Sequence, residues 1–199
     1  MHATLPFLLR HRLRAAVVAP RGHAGFTAIE LLVVIAIMGI LAALAAPNFT
    51  PILERWRIRQ AVESMTSTIY FARSEAIKRG GNITVIRNAL TSECPQANTA
   101  QEWSCGWSVF VDTNNNGTKQ ATEETLQNFA TPTAVNVMNT STSGQTRFKV
   151  DRWGQINGLG AQGFVFSPNS SAGVASPATT TLCVSSGGRV QPKPGEASC

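Results

Sequence analysis

The stretch Gly25-Phe26-Thr27-Ala28-Ile29-Glu30 opens an apolar run that continues to Ala46 and decides the fold of this 199-residue chain. Between Phe26 and Ala46, Glu30 is the one ionisable side chain. A helix over these residues would rise about 30 Å, which is the thickness of the hydrocarbon core of a bilayer. The sequence therefore predicts a transmembrane helix over residues 26–46 that carries an acid near its start.

Glu30 needs an explanation, because a carboxylate within a membrane span costs about 2.5 to 3.5 kcal/mol on insertion scales. One explanation is local. Thr27 and Glu30 have the spacing of a capping box, and an acid in the first helical turn complements the helix dipole. The other explanation is a charged partner outside the helix, and the residues that precede the helix bear on this choice.

The first 25 residues resemble the basic front of an export signal, with no acid and four arginines: Arg10, Arg12, Arg14 and Arg21. In an ordinary secretory signal the small residue of the cleavage site follows the apolar region, whereas Gly25 precedes it here. Cleavage after Gly25 would leave the apolar helix on the processed protein. It would also create an α-amino group on Phe26, one helical turn from Glu30.

Residues 25–37 resemble the type III signal of type IV pilins and type II secretion pseudopilins. The resemblance implies that a prepilin peptidase cuts after Gly25 and methylates Phe26. It also implies that Glu30 is the assembly residue, which pairs with the N-terminus of a neighbouring subunit. The expected partners are then other major and minor pilins or pseudopilins, the prepilin peptidase and an inner-membrane assembly platform.

Composition indicates one globular domain besides the membrane helix, and it argues against an enzyme. The net charge of +6 falls to +2 without the leader, because 13 Lys and Arg then face 11 Asp and Glu. All three histidines also lie in the leader: His2, His11 and His23. The processed chain therefore lacks the commonest general base and the commonest metal-binding imidazole. We expect no cofactor, and carboxylate-only chemistry is the catalytic alternative left open.

Cysteine usage indicates an exported domain, because all four cysteines follow the apolar helix: Cys94, Cys105, Cys183 and Cys199. Four cysteines allow three pairings, and local closure, first with second and third with fourth, is the preferred one. Disulfides persist in oxidising compartments. We therefore expect a cytoplasmic N-terminus, a single pass through the inner membrane and a periplasmic head, which later enters a pilus or pseudopilus.

Beyond the span, an amphipathic helix is predicted to continue to Arg79. Apolar residues recur every three or four positions and form one stripe: Ile58, Val62, Met65, Ile69, Ala72 and Ala76. Gly80-Gly81 is suited to end the helix. We expect Pro47 and Pro51 to kink or locally unwind one long helix that starts at Phe26. A loop between two separate helices is the alternative.

After Gly81 the pattern changes to short runs typical of strands, at residues 83–87, 107–111, 146–150, 163–166 and 181–184. Two segments rich in Ser, Thr, Asn, Pro and Gly separate some of these runs, and we interpret them as turns: 131–144 and 167–180. A long helix followed by antiparallel strands predicts an α+β fold. The predicted organisation is a leader, a transmembrane helix, an amphipathic continuation and a β-rich head: 1–25, 26–46, 47–80 and 81–199.

Residues 72–79, residues 105–114 and Cys183 are similar to the pattern of GspH/FimT minor pilins. The resemblance implies a type IV pilin-like fold, in which a long N-terminal helix packs on an antiparallel β-sheet head. It implies a minor type IV pilin of the FimT/FimU kind that takes part in pilus assembly or priming. A GspH-like minor pseudopilin of the type II secretion system is the alternative, and a DNA-binding minor pilin for natural transformation is a third.

One motif in the head suggests a cation site. Residues 112–123 satisfy the calcium-loop pattern, with candidate oxygen ligands at four positions: Asp112, Asn114, Asn116 and Glu123. A strand rather than a helix precedes the motif, and its Asn-Asn-Gly sequence is also what a tight hairpin turn requires. We therefore favour a turn without a metal and keep the loop as the calcium candidate.

A second motif suggests nucleic acid. Gly188-Arg189-Val190-Gln191, followed by Lys193, resembles the Gly-Arg-x-Arg-like element of FimT-like pilins that take up DNA. The resemblance implies phosphate contacts at Arg189 and Lys193, although Gln191 stands at the second basic place. Three further residues are candidates to extend a basic patch: Arg147, Lys149 and Arg152. A final β-hairpin held by the last two cysteines is the structural alternative.

Overall fold

The computed structural model describes residues 25–45, 49–94, 99–140, 145–157 and 162–199. Of the predicted leader, the structure describes Gly25, and the predictions for residues 1–24, including the arginines and histidines, lie outside the described residues. The chain divides into two compact units, one ending at Ala45 and one beginning at Ala46. Among the described residues, the first unit holds one α-helix, and the second holds one α-helix and nine strands.

Helix α1 comprises Ala28–Ala45. It consists of Ala, Leu, Ile, Val, Met and one Gly, with Glu30 as the acid in its first turn. Its 18 residues rise about 27 Å at 1.5 Å each. In the described part of the chain no single helix has the length and hydropathy of a membrane span, whereas α1 and the next helix together do, by length and composition. The transmembrane helix over 26–46 therefore stays a prediction.

Helix α2 comprises Phe49–Arg79. All six residues of the predicted stripe are buried in the core of the head: Ile58, Val62, Met65, Ile69, Ala72 and Ala76. Pro51 lies in the first turn of α2, where a missing N–H removes no helical hydrogen bond. The kink or local unwinding predicted at Pro47 and Pro51 stays a prediction, because residues 46–48, between α1 and α2, lie outside the described residues.

The end of α2 is the predicted glycine stop. Gly80 has a φ of 79°, a left-handed conformation that glycine adopts without a steric penalty. The amide of Gly81 donates to the carbonyl of Ala76 at 2.7 Å, which is the long hydrogen bond of a Schellman motif. The chain then enters the first strand directly.

The first sheet has five antiparallel strands: β1 Ile83–Arg87, β2 Trp107–Val111, β3 Thr125–Phe129, β5 Arg147–Val150 and β6 Ile156–Asn157. Their order is β3-β2-β1-β5-β6. Strand β1 is central, because Ile83 pairs with Val111 on one side and with Val150 on the other. The central position explains why Ile83 and Val85 are fully buried.

The second sheet has four antiparallel strands: β4 Val135–Asn139, β7 Gln162–Pro168, β8 Thr180–Val184 and β9 Val190–Pro194. Their order is β4-β7-β8-β9. Strand β9 lies at an edge and contains Pro192 and Pro194, which an edge strand tolerates because it has a free hydrogen-bonding side. The predicted final hairpin is the β8–β9 pair.

Helix α2 packs on strands of both sheets, and one apolar core joins them. The indole Nε1 of Trp107 donates to Oγ1 of Thr68 at 3.0 Å, so a buried polar group is satisfied between sheet and helix. The ring of Trp103 lies 6.1 Å from Phe148 of β5 and 5.1 Å from Phe164 of β7, centroid to centroid. The α+β fold is confirmed, with the antiparallel strands of the head divided between two sheets.

Five strands occur where the sequence predicts them, β1 and β2 with the same bounds and the others with small shifts: β5, β7 and β8. The interpretation of 131–144 as a turn is wrong at its centre, where β4 lies. In β4 the buried Val135, Val137 and Asn139 alternate with half-buried residues, which is the period of a strand. Of the other edge strands, β3 and β6 are not predicted from the sequence, and β9 is predicted only as part of the alternative final hairpin.

Candidate functional site

The turn that leads into α1 contains the predicted processing and assembly residues. Gly25 and Phe26 lie before the helix, and the Phe26 side chain is 86% exposed. The amide of Glu30 donates to Oγ1 of Thr27 at 3.3 Å, and the amide of Thr27 donates to Oε2 of Glu30 at 3.5 Å. These two reciprocal bonds form the predicted capping box.

The Glu30 carboxylate is exposed, and its bond to the Thr27 amide is long. The large apolar side chains of α1 are also exposed, with Leu32, Ile35 and Leu44 among those more than 60% accessible. An acid at the open end of an uncovered apolar helix is placed to meet a cation that another molecule supplies. The local capping role and the assembly role are therefore compatible in this geometry.

The calcium-like loop begins at Asp112, whose side chain is 0% exposed. Its Oδ1 accepts the amide of Asn116 at 2.9 Å, and its Oδ2 accepts the amide of Gly117 at 2.7 Å. Thr84 on β1 donates its hydroxyl to Oδ2 at 2.9 Å, and Nζ of Lys149 lies 3.9 Å from the same oxygen. Both carboxylate oxygens thus face hydrogen-bond donors and a positive charge.

The other candidate ligands of this loop are also engaged within it. Oε1 of Glu123 accepts the Thr113 amide at 3.0 Å, and Oε2 accepts the Gln120 amide at 2.9 Å. Side-chain oxygens of Asn114 and Asn116 accept the amides two residues further on, as in Asx turns. A cation would have to displace N–H donors and approach an ammonium group, so the geometry does not support the calcium candidate. The connection is not the tight hairpin turn of the alternative either, because residues 112–124 separate β2 from β3.

Arg73 on α2 joins the helix to both sheets. Its Nε donates to the carbonyl of Gly154 in the β5–β6 turn at 2.8 Å, and its Nη1 donates to the carbonyl of Gly188 in the β8–β9 turn at 3.0 Å. A Cβ on Gly188 would lie 2.5 Å from the guanidinium. Gly188 also has a φ of 78°, so glycine is favoured there by the backbone and by the position of Arg73, whatever Arg189 does. No local sequence pattern indicates this role of Arg73, because its partners are 81 and 115 residues away.

The candidate DNA contacts Arg189 and Lys193 lie together beside the second disulfide, where they line a shallow cavity of about 320 Å³. Arg189 is exposed, and within the described residues no ion pair holds its guanidinium. Lys193 forms an ion pair with Glu196 at 3.3 Å. Of the two residues, Arg189 is the one available to an outside partner.

The proposed extension of the basic patch is divided between two places. Lys149 donates to the backbone carbonyl and to the side chain of Asn115, and the guanidinium of Arg147 covers Gly117. Both side chains therefore contact the loop that begins at Asp112. Arg152 is exposed in the β5–β6 turn. Of the three residues, it is the one whose side chain does not contact the loop that begins at Asp112 in the hydrogen bonds and contacts described here.

Two disulfides are present, Cys94–Cys105 and Cys183–Cys199, which is the pairing expected from local closure. The second disulfide attaches the carboxyl end of the chain to β8. A Cβ at Gly163 of β7 would approach Sγ of Cys199 to 2.7 Å. The absence of a side chain at Gly163 therefore makes room for this attachment.

An ion-pair cluster covers the end of α2. Nε of Arg79 lies 2.8 Å from Oε2 of Glu75, and its Nη1 lies 2.9 Å from Oε2 of Glu124, which precedes β3. Nζ of Lys78 lies 3.3 Å from Oε1 of Glu75. The hydrogen bond from Arg79, assisted by Lys78, lowers the pKa of the Glu75 carboxyl below its ordinary value. The cluster adds an electrostatic link between the helix and the first sheet.

Residues 61–191 match the family described as type II transport protein GspH, and residues 20–46 match the prokaryotic N-terminal methylation motif. The pilin-like protein PilA1 of Thermus thermophilus is 30% identical over 170 residues, which are 82% of this chain and 87% of the relative. A fimbrial protein of Pseudomonas aeruginosa is 41% identical over 63 residues, 32% of this chain and 40% of its own length.

A solved structure supports the same assignment at the level of the fold. The type IV minor pilin FimU of Pseudomonas aeruginosa superposes with a TM-score of 0.53 at 19% identity, covering 73% of this chain and 96% of FimU. The GspH match covers most of α2 and the head, and the methylation motif covers the capped turn and α1. This chain therefore belongs to the GspH family of minor pilins and pseudopilins.

Proposed function

We propose that this chain is a minor type IV pilin that takes part in pilus assembly or priming. In this proposal residues 1–25 are removed, residues 26–46 hold the subunit in the inner membrane with the head in the periplasm, and assembly transfers it into the fibre. Its role is structural and not catalytic. The relatives described above are pilins, and histidine is absent after residue 25.

The observation that carries the proposal is the position of Glu30. Its exposed carboxylate caps an apolar helix through one 3.5 Å bond, so a stronger cationic partner can replace that bond at little cost. Cleavage after Gly25 would create such a partner, an α-amino group on Phe26 of each subunit. The bond to this ammonium group joins two opposite charges, whereas in the bond from the Thr27 amide only the carboxylate is charged.

The test compares Glu30→Ala with Glu30→Gln, because glutamine can still complete a capping box but has no charge. We expect both variants to be processed and both to lose most incorporation into pili beside the neighbouring pilins. N-terminal mass analysis measures processing and methylation, and quantitative immunoblotting of sheared pili measures incorporation. The result that would remove the assembly role is full incorporation of Glu30→Gln with a defect confined to Glu30→Ala, since capping alone would then explain Glu30.

A second candidate is a minor pseudopilin of the type II secretion system, and the GspH match over residues 61–191 favours it. Both candidates use the same signal, helix and head. A deletion strain separates them. Loss of piliation and twitching supports the pilus, whereas retention of exported enzymes in the periplasm supports secretion.

A third candidate is DNA binding, which the exposed guanidinium of Arg189 favours. Phosphate contacts release counterions, so binding would weaken steeply with salt. In gel shifts with the detergent-solubilised chain, Arg189→Ala should reduce retardation more than Lys193→Ala, because Lys193 already pairs with Glu196. Equal retardation by wild type and Arg189→Ala would exclude a DNA contact at Arg189.

A further inference from the structure

The first two turns of α2 present an uncovered apolar stripe, here called the amino-terminal stripe: Phe49, Ile52, Leu53 and Trp56. These side chains are 49 to 62% exposed, although all four are large and apolar. Their spacing of three, one and three residues places them on one side of the helix. The helix therefore carries an apolar surface that the head does not bury.

The amino-terminal stripe and the buried stripe of the head lie on opposite sides of α2. At about 100° per residue, the centre of the exposed set is about 180° from the centre of the set that begins at Ile58. The head packs on the second set. The head therefore covers one side of α2 and leaves the amino-terminal stripe exposed on the other.

Three arginines flank the amino-terminal stripe on both sides: Arg55, Arg57 and Arg59. Within the described residues none of them forms an ion pair. The nearest acid, Glu54, points toward the side of the buried stripe, and Glu63 lies about two turns further along. An apolar centre with an aromatic ring and flanking cations is the pattern of a helix that lies at a lipid–water interface.

Chain connectivity limits where this surface can be. Phe49 follows Ala45 by four residues, which span at most about 14 Å when extended. If residues 26–46 cross the bilayer, as the proposed function requires, the first turn of α2 must lie within or beside the headgroup layer. The amino-terminal stripe is therefore confined to a lipid surface before any assembly takes place.

We propose that the amino-terminal stripe docks on the anionic lipid surface of the membrane and holds the subunit there until assembly. Phe49, Ile52, Leu53 and Trp56 enter the boundary between headgroups and acyl chains, and the three arginines contact lipid phosphates. The charges favour lipid over a second copy of this face, because like charges would meet in such a pair. Joining a fibre then requires this face to leave the lipid.

The test uses the full chain in phosphatidylcholine vesicles with and without phosphatidylglycerol, with lipids brominated at shallow or deep acyl positions. Trp103 and Trp107 are fully buried in the head, so Trp153→Phe leaves Trp56 as the exposed reporter. We expect its emission to fall more with shallow than with deep bromines, because interfacial helices insert only about 5–10 Å. The quenching should increase with the phosphatidylglycerol content.

The matched control is Trp56→Phe, which leaves Trp153, 75% exposed on the head, as the reporter. Its quenching should be smaller and independent of bromine depth. In the Trp153→Phe background, replacing the three arginines by glutamine should remove the dependence on phosphatidylglycerol. Each arginine near an anionic surface contributes about fivefold to binding, so this loss should be large.

Flotation of the vesicles separates the docking proposal from the membrane anchor of the proposed function. Protein that floats, but whose Trp56 is quenched no more than Trp153, contradicts the docking proposal and leaves the membrane anchor intact. If the quenching of Trp56 is lost as the protein-to-lipid ratio rises, and copies crosslink at Trp56, the amino-terminal stripe mediates self-association. This result also contradicts the docking proposal. Protein that does not float contradicts both the anchor and the dock.

Discussion

Asp112 in the head and Glu30 in the first turn of α1 both lie in recognisable sequence motifs, but the structure uses their carboxylates in opposite ways. Asp112 is buried and accepts hydrogen bonds from two amides and one hydroxyl, with an ammonium group 3.9 Å away. Glu30 is exposed and accepts one amide at 3.5 Å. The number of internal donors, more than the motif itself, indicates whether an acid stabilises its own fold or is available to a partner.

The same contrast separates two arginines. Arg73 donates to the carbonyls of Gly154 and Gly188 and joins the helix to both sheets. Arg189, in the same turn as Gly188, has no ion pair within the described residues. Gly188 and Arg189 are neighbours in one motif, yet the first serves the packing of the head and the second faces outward.

The largest expected effect on the stability of the head comes from replacing Asp112. Asp112→Ala would leave the amide of Gly117 and the hydroxyl of Thr84 without their acceptor, and the Asn116 amide would keep only its bond to Asn114 at 3.2 Å. Because a buried unsatisfied group costs about 1–3 kcal/mol, the free energy of unfolding should fall by about 3 kcal/mol or more. Urea unfolding of the chain in mild detergent, followed by the fluorescence of the buried tryptophans, measures this change.

The matched control is Asn114→Ala in the same loop, where an exposed side chain accepts one amide at 3.2 Å. Its effect should stay within about 0.5 kcal/mol. Millimolar calcium should leave the Tm of the wild type unchanged, because donors already occupy the carboxylates. A rise in Tm with calcium that Asp112→Ala abolishes would show that the loop is a cation site after all.

Local patterns in the sequence predict much of this fold. The spacing of Ile58 through Ala76 predicts the buried face of α2, and Gly80 predicts its end, because both depend on neighbouring residues along the chain. Val135 and Val137 carry the alternation of β4, but the polar residues around them favour a turn by composition. Strand β3 has a polar edge sequence with no such signal. Edge strands depend on a partner strand more than on their own sequence.

The candidate site is less predictable, because its decisive contacts are distant in the chain. The capping box of Thr27 and Glu30 is a contact over three residues and can be recognised from the sequence. The bond from Thr84 to Asp112 spans 28 residues, and the bond from Arg73 to Gly188 spans 115. No local pattern reports such a contact, so the motif at 112–123 suggests a ligand where the structure has internal partners, and the motif at 188–191 does not reveal that Gly188 accepts a hydrogen bond from Arg73.

A smaller effect on the free energy of unfolding is expected at Glu75, whose exposure and number of internal partners lie between those of Asp112 and Glu30. Its carboxylate is largely covered but is satisfied by Arg79 and Lys78 on its own helix. Because these cations lower its pKa below the ordinary value of 4.5, the ionised carboxylate stabilises the head at neutral pH. This contribution is lost as the pH falls below 4.5 and through the lowered pKa of the folded state.

The measurement compares the urea midpoints of the wild type and Glu75→Gln at pH 7 and pH 3. We expect the wild type to be more stable at pH 7, by less than the effect at Asp112, and the two midpoints to converge at pH 3. Glu63→Gln on the same helix is the control, since no ion pair is present there within the described residues. A difference as large at pH 3 as at pH 7 would show that the cations do not stabilise the head through Glu75.

The smallest expected effect is that of Glu30 on the head itself. Glu30 belongs to the compact unit that ends at Ala45, whereas the buried tryptophans belong to the other unit. Glu30→Ala should therefore change the free energy of unfolding of the head by less than about 0.5 kcal/mol, and Thr27→Ala, which removes the other half of the capping box, should be equally silent. Both are measured by the urea unfolding used for Asp112→Ala. A loss as large as that at Asp112 would mean that the exposed acid stabilises its own fold, and the contrast between an internal and an available carboxylate would be wrong.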